Sequence, residues 1–270
     1  MTRLFLFLAA AGLLLAENKP LYFFDDWAGS PALSIEQRTE LAKKTGYAGI
    51  FYSGMAENAT KDLPELLAAH QARGLHVLGI YTGMNVSDAK PGYDPGLPEA
   101  IRQLKGTGAL IVFTVSGKSP NGDGLAVPVI REVAALAAQA GLKVALYPHY
   151  TFYVARIEDA LRVRAKVDRP NVGICFNLCH WLRSGDQANL SSRLKEAMPY
   201  LLMVSINGAD HEGDWDRLIQ PLGRGTYDVR GFVKAVESMG YTGPFGLQCY
   251  NIQGDPVENL KQSMAAWRAF

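Results

Sequence analysis

The segment VPVIREVAALAAQAGLKVALYP, residues 127–148, shows on a small scale how the whole chain is organised. Its first part, 127–140, carries apolar residues at helical spacing, and Gly141 follows at the position where many helices end in a left-handed residue. The last part, 143–148, is a short apolar run suited to a buried strand. A helix, a glycine and a strand in this order predict one unit of a parallel sheet.

The same order recurs in both directions along the chain, as in Thr45-Gly46-Tyr47, Arg73-Gly74-Leu75 and Met239-Gly240-Tyr241. Predicted strands occupy 21–26, 47–53, 75–81, 109–115, 143–148, 172–177, 201–207 and 244–249. Amphipathic stretches that predict helices include 35–44, 63–73, 157–166, 190–198, 229–239 and 257–267. Eight such units in 270 residues, with no GxGxxG after the first strand, predict an α/β protein that is a single (β/α)8 TIM barrel.

The first residues predict a targeting segment. Arg3 precedes an apolar run at 4–16, which is shorter than the ~20 residues of a membrane span. We therefore expect a signal peptide at 1–16, a barrel domain at 17–270 and no stable membrane span after cleavage. The expected location is the periplasm or the extracellular space. An uncleaved anchor and a buried first helix are the alternatives.

Charge argues against nucleic acid as a partner. The chain has 27 basic and 26 acidic residues, and loss of Arg3 with the signal peptide makes these numbers equal. A neutral chain without a basic run lacks the electrostatic footprint of a nucleic-acid-binding protein. The expected partner is a small molecule, and the sequence makes no prediction of the oligomeric state.

The three cysteines, Cys175, Cys179 and Cys249, lack the CxxC spacing of a metal site. In an exported protein a disulfide between Cys175 and Cys249 is one interpretation, and buried free thiols are the other.

Polar side chains gather at the ends of the last four predicted strands. Alternation along each strand puts the following residues on shared faces: Ala145, Tyr147 and His149; Cys175, Asn177 and Cys179; Met203, Ser205 and Asn207; Gly246, Gln248 and Tyr250. Burying a polar group without a partner costs roughly 1–3 kcal/mol, so four strands that do this together favour a site over a stabilising role. For any single residue, a satisfied hydrogen bond at the barrel mouth is the alternative. The loops 90–96 and 117–124 also follow strand ends, where we expect them to border the site or to be plain surface loops.

Five stretches carry a resemblance to a known family: VALYPH (144–149), VGICFNLCH (172–180), VSINGAD (204–210), PLGRG (221–225) and YTGPFGLQ (241–248). They resemble the xylose isomerase-like barrel superfamily of sugar isomerases and epimerases. The resemblance covers most of the chain and is strongest after residue 140. It implies a barrel of the xylose isomerase-like type and a carbohydrate as the small-molecule partner.

The metal ligands of that family are changed in this sequence. In the family, strand ends supply a Glu, an Asp-x-x-His, a His before Asp and a second Glu, which together hold one divalent ion, and the two glutamates also move protons. By position, Tyr147 and Gln248 replace the glutamates, Asn177 replaces the Asp with His180 kept, and Ser205 or Asn207 replaces the His. Hard divalent ions favour carboxylate oxygens, so we expect no cofactor and no metal site of the family type. Weak recruitment of a divalent ion by His149, His180 and water stays open.

The resulting hypothesis is an exported sugar isomerase or epimerase, or a lyase, that abstracts a proton next to a carbonyl without the usual metal. Imidazole titrates nearest neutral pH, which makes His149 and His180 the catalytic candidates. The substrate-binding candidates are Tyr147, Asn177, Asn207, Gln248, Asp26 and Arg224. A catalytically silent relative that binds carbohydrate is the alternative function. A metal-dependent DNA-repair endonuclease of the same superfamily fits poorly with five histidines and a near-zero charge.

Several of these candidates also have a simpler interpretation. Asp26 and its neighbour Asp25 are the nearest carboxylates but suit helix capping or a loop equally well. Arg224 and Lys118 either contact a ligand or are solvated loop residues. Three aromatic residues either stack on a sugar ring or pack in the core or at its rim: Trp27, Trp181 and Tyr250.

Overall fold

Eight parallel strands close into a barrel in which each strand pairs with its neighbours in chain order and the last pairs with the first. The computed structural model describes residues 19–25, 33–53 and 56–270. The strands are β1 (Leu21–Phe24), β2 (Gly49–Tyr52), β3 (His76–Asn85), β4 (Leu110–Ser116), β5 (Lys143–Leu146), β6 (Val172–Asn177), β7 (Leu201–Ile206) and β8 (Phe245–Leu247). The predicted α/β class and (β/α)8 TIM barrel are confirmed.

Helices surround the barrel. They are α1 (Ile35–Thr45), α2 (Ala56–Gln71), α3 (Leu97–Gln103), α4 (Gly122–Gln139), α5 (Ile157–Val167), α6 (Leu178–Arg183), α7 (Leu190–Ala197), α8 (Trp215–Leu218), α9 (Val229–Ser238) and α10 (Pro256–Arg268). Their ends follow local chemistry. Ser34 and Gln37 form a reciprocal capping box at the start of α1, and Gly46 ends this helix in the left-handed region at φ 86°.

Several elements depart from the sequence-based boundaries: α2 begins at Ala56 instead of 63, and β3 and α4 also extend beyond their predicted ranges. β3 continues to Asn85 because β4 pairs with it residue by residue up to Ser116, although Thr82 and Gly83 interrupt its apolar pattern. α4 begins at Gly122, inside the predicted loop 117–124, and includes Pro128 in its first turns. A proline near the start of a helix removes one hydrogen bond there, which the buried face of α4 outweighs.

The barrel has a core inside the strands and a second core between strands and helices. The inner core consists of Phe24, Phe51, Leu78, Leu110, Val112, Ala145, Tyr147, Cys175 and Met203. Ala145, Tyr147, Cys175 and Met203 therefore point inward, as the alternation of their strands predicts. Gly246 leaves room for this core, since a Cβ built on it would lie 2.5 Å from Cε1 of Phe24.

The predicted signal peptide at 1–16 lies outside the described residues. Cys175, Cys179 and Cys249 are all buried and form no disulfide, so Cys175 is not joined to Cys249. Within the described part of the chain, no helix is long and apolar enough to cross a membrane.

Gly246→Ala is expected to destabilise the barrel by ~1–3 kcal/mol, because the added methyl group overlaps the Phe24 ring in a core that is already filled. Urea unfolding followed by circular dichroism measures this change. Gly92→Ala is the control, since a Cβ on Gly92 meets nothing within 4 Å. Equal stability of the two variants would contradict this account of the inner core.

Candidate functional site

A cavity of about 480 Å³ opens at the carboxyl ends of the strands. Its lining residues are Phe24, Phe51, Ser53, Tyr81, Tyr147, His149, Tyr150, Thr151, His180, Trp215, Ile219, Gln248 and Tyr250. The volume lies within the range of ~300–1,000 Å³ typical of small-molecule sites. This is also the end at which barrels of this class place their active sites. Aromatic rings form most of the wall, and a few polar groups converge between them.

His149 and His180 lie against each other in this cavity, with ring centroids 3.9 Å apart. His149 belongs to the loop after β5, and Phe152 stacks on it with a centroid distance of 3.9 Å. His180 comes from α6, which begins directly where β6 ends and so carries the imidazole back over the strand. The two histidines that the sequence analysis selected are therefore in contact.

The backbone of Tyr150 determines which ring nitrogens carry protons. Its carbonyl oxygen lies 3.0 Å from Nδ1 of His149 and accepts that N–H. Its own N–H donates to Nδ1 of His180 at 3.2 Å. In a neutral imidazole one nitrogen donates and the other accepts. Nε2 of His149 is therefore an unprotonated base, whereas Nε2 of His180 carries the hydrogen.

Burial keeps both histidines neutral. Burial lowers the pKa of His149, although the hydrogen bond to Tyr150 partly opposes this. Burial lowers the pKa of His180 further, well below its ordinary value, and the neighbouring His149 adds to the effect. At neutral pH the site thus holds one free base and one neutral hydrogen-bond donor.

The loop that carries these contacts is strained. Thr151 has φ 75°, a left-handed conformation that a β-branched residue rarely adopts. Strain of this kind is common at functional sites, where the surrounding structure enforces it. Here it accompanies the tight turn in which Phe152 N–H donates to the carbonyl of His149 at 2.9 Å.

Tyr147 and Gln248 form a second polar pair in the cavity wall. Each lies directly after its strand, and Nε2 of Gln248 donates to the hydroxyl of Tyr147 at 3.3 Å. The N–H of Tyr250 donates to the other end of the Gln248 amide at 3.0 Å. Burial raises the pKa of Tyr147 well above its ordinary value, so this phenol keeps its proton at all physiological pH values. Tyr250 itself, one of the three predicted aromatic candidates, lines the cavity.

Asn177 and Asn207 do not line the cavity. Asn177 is buried at the end of β6, and its Oδ1 accepts from Sγ of Cys179 at 3.1 Å. The Nδ2 of Asn207 donates to the carbonyls of Gly208 and Leu218, which ties the loop after β7 to α8. The substrate-binding role of Asn177 and Asn207 stays a prediction.

The charged candidates lie apart from the cavity or outside the described residues. Arg224 is exposed in its loop, and Asp26 and Trp27 are not among the described residues. Asp25 is buried and pairs with Arg38 at 2.5 Å, and it also accepts from the N–H of Ser53 at 2.7 Å. Burial raises the pKa of Asp25 against the opposing effect of Arg38.

Two other predicted elements also lie away from the cavity. Trp181 packs against Phe176 and Phe232 in the outer core. The loops 90–96 and 117–124 contribute no lining residue.

The sequence analysis missed several lining residues, notably Tyr81 on β3 and Trp215 on α8. Tyr81 packs edge-on against Tyr147 with centroids 5.8 Å apart, and Trp215 packs edge-on against His180 at 5.1 Å. Strict alternation could not have indicated Tyr81, because it lies three residues after the inward-facing Leu78. A register shift in the pairing of β2 with β3, which skips Leu78, brings both side chains to the inner face. Trp215 lies in a helix of four residues, for which no periodic signal exists.

The residues present do not fit the divalent metal that the family resemblance implies. The positions of its ligands hold the phenol of Tyr147, the amides of Asn177 and Gln248, either Ser205 or Asn207, and the one retained imidazole, His180. The phenol of Tyr147 resists ionisation, because burial raises its pKa. Among the described residues, no group of three or more His, Cys, Asp or Glu side chains could hold a metal ion. Neutral oxygens and a protonated phenol are poor ligands for magnesium or manganese.

The fold and the placement of the cavity define a TIM-barrel protein with a cavity of small-molecule size at the carboxyl ends of its strands. The sequence profile of the family described as "Xylose isomerase-like TIM barrel" matches residues 39–270. The chain belongs to this family. No curated protein sequence matches it.

Solved structures share this fold at low sequence identity. 3-Keto-D-glucoside 4-epimerase from E. coli superposes with a TM-score of 0.76 and 19% identity, covering 93% of this chain and 100% of the epimerase. D-Psicose 3-epimerase with D-tagatose, from Clostridium cellulolyticum H10, gives a TM-score of 0.71 and 16% identity over 93% and 97% of the two chains. A probable 3-DHS dehydratase from Bacillus anthracis gives 0.72 and 15% over 93% and 98%.

Protein stability is expected to fall as the pH drops below about 6.5, the pKa of histidine in an unfolded chain. Below that pH His149 and His180 bind protons in the unfolded chain but stay neutral in the folded protein, because burial lowers their pKa values. The free energy of unfolding then falls by up to ~1.4 kcal/mol per pH unit for each histidine. Burial also lowers the pKa of His70 to about 4, so this histidine adds to the loss of stability until the pH reaches about 4. Urea unfolding from pH 8 to pH 4 measures it.

The double variant His149→Gln/His180→Gln should show a shallower decline with pH than the wild type. His76→Gln is the matched control, because His76 is exposed and lies outside the site. The attribution to the histidine pair is wrong if the double variant and the wild type lose stability in parallel.

Proposed function

We propose that this protein is an exported carbohydrate isomerase or epimerase in which His149 removes a proton from the carbon next to a sugar carbonyl, without a metal ion. One observation carries the proposal: the Tyr150 carbonyl occupies Nδ1 of His149, which leaves Nε2 as an unprotonated base in the wall of an aromatic cavity. Membership of the xylose isomerase-like family supports an activity of this general kind.

The proton transfer needs a base and a group that stabilises negative charge. Nε2 of His149 takes the proton, and the electrons of the C–H bond form the double bond of an enediolate, with the charge on the former carbonyl oxygen. Nε2–H of His180 and the hydroxyl of Tyr147 are neutral donors that can hydrogen-bond to this oxygen. Return of the proton from Nε2 of His149 to the neighbouring carbon, with the enediol hydroxyl proton moving between the two oxygens, gives an isomer. For an epimer, a water molecule on the opposite face protonates the original carbon, and the resulting hydroxide takes up the proton held by His149.

The cavity wall suits a sugar. Sugar rings have apolar faces that stack on aromatic side chains and edges of hydroxyl groups that need hydrogen bonds. Tyr81, Trp215 and Tyr250 supply aromatic surface, while Gln248 and His180 supply polar contacts. Two of the structurally similar proteins are named as epimerases of keto-sugars, which is consistent with this substrate class.

The polar groups of the site support chemistry without a metal. The phenol of Tyr147 and the amide of Gln248 bind each other where the family would place two carboxylates. Two neutral donors beside a neutral base can stabilise an enediolate without a cation.

His149→Gln is expected to lower the exchange of a sugar C–H proton with solvent deuterium by ~10²–10⁴-fold, the usual contribution of a positioned base. Tyr147→Phe should lower it by up to ~10²–10³-fold, because one hydrogen-bond donor to the enediolate is lost. Proton NMR in D₂O on aldoses, ketoses and 3-keto-sugars, with protein treated with EDTA, measures the exchange. His76→Gln should leave the rate unchanged.

Exchange that disappears with EDTA and returns with manganese would contradict the metal-free mechanism. Saturable sugar binding without any exchange would instead favour the catalytically silent carbohydrate-binding relative.

The proposal that the protein is exported depends only on the predicted signal peptide, in which Arg3 precedes the apolar run 4–16. Expression of the full chain in a bacterium should give a protein in the periplasm or medium that begins close to Glu17, as determined by N-terminal sequencing. A cytosolic protein that keeps residues 1–16 would contradict export.

A further inference from the structure

A second hollow of about 420 Å³ lies beside the catalytic cavity. Tyr150 lines both spaces, so its side chain stands at the partition between them. The helices α6 and α8 also contribute to both sides. On α6, His180 faces the cavity while Leu182 and Arg183 line the hollow, and on α8 the hollow is lined by Leu218. A ligand that extends past Tyr150 would therefore leave one space and enter the other.

Arg183 forms a fixed edge of the hollow next to the partition. Its guanidinium carbon lies 5.7 Å from the ring centroids of both Tyr150 and Trp215. Nη1 donates to the carbonyl of Gly213, and Nη2 pairs with Asp214 at 3.0 Å. These contacts hold a planar polar group against two aromatic rings, which makes a surface with both an apolar face and hydrogen-bonding edges.

The charges around the hollow favour an uncharged ligand. The charge of Arg183 is balanced by Asp214, and Glu212 adds a further carboxylate to the wall. His211 and Gln187 supply polar side chains, and Gln187 fixes the loop by donating to the carbonyl of His211 at 2.6 Å. A phosphate or carboxylate ligand would meet these acidic groups, whereas the hydroxyl groups of a neutral sugar can donate to them and accept from Arg183.

We propose that the substrate is a glycoside of at least two neutral sugar units, which rests on the function proposed above for the catalytic cavity. The reacting sugar lies over His149 and His180, and the glycosidic bond passes Tyr150 and Trp215. The second sugar occupies the hollow, with His211 and Glu212 hydrogen-bonded to its hydroxyl groups.

Calorimetric titration with defined sugars tests this inference. The probes are glucose, methyl glucoside, cellobiose, maltose, trehalose and p-nitrophenyl glucoside. Each is tested in its ordinary form and in the form that carries a carbonyl group at C3. At least one disaccharide is expected to bind about tenfold more tightly than methyl glucoside, a difference of ~1.4 kcal/mol. The double variant His211→Ala/Glu212→Gln should remove this difference and leave the affinity for methyl glucoside unchanged.

Both replaced side chains are exposed, so the double variant is expected to fold. Glu65→Gln, an exposed change on the outer side of α2, is the matched control and should retain the preference for the disaccharide.

Equal affinities for disaccharides and methyl glucoside overturn the second sugar site but leave the proposed function intact. An equal loss of affinity for both ligands in the double variant also overturns it. Tighter binding of p-nitrophenyl glucoside than of every disaccharide would assign the hollow to an aromatic group instead of a sugar. Absence of binding by every probe contradicts the proposed function together with this inference.

Discussion

The candidate site depends on the backbone of one residue, Tyr150. Its carbonyl accepts from His149 and its N–H donates to His180, so a single peptide segment assigns opposite proton positions to two imidazoles that touch. The turn that presents both groups is strained at Thr151. Without these bonds either imidazole could adopt the other tautomer, and the distinction between base and donor would be lost. Burial then keeps the pair neutral, so that no carboxylate is needed to balance a charge.

Much of the fold follows from the sequence because parallel barrels repeat one local unit. Helical periodicity, a glycine at the helix end and a short apolar run were sufficient to place all eight strands. Strand alternation also placed Tyr147 and Gln248 on the inward face, where the two side chains meet across a distance of 101 residues in sequence. His149 could be selected because it continues the polar face of β5, and His180 because the family motif retains it. Both are imidazoles, which titrate nearest neutral pH.

Other parts of the site are set by tertiary contacts that leave no local pattern. Alternation puts Asn207 on an inward face, but the chain turns there and the amide binds the carbonyls of its own loop and of α8. Trp215 enters the site through a helix too short to show a period. The extension of β3 depends on pairing with β4, which overrides the polar and glycine residues in its second half.

The tautomers of the two histidines are the most direct test of this account. Nitrogen-15 NMR of histidine-labelled protein at neutral pH distinguishes a protonated from an unprotonated ring nitrogen without any knowledge of the substrate. The account predicts a proton on Nδ1 and a bare Nε2 for His149, with the reverse arrangement for His180. A proton on Nε2 of His149, or a charged imidazolium at either position, would contradict it.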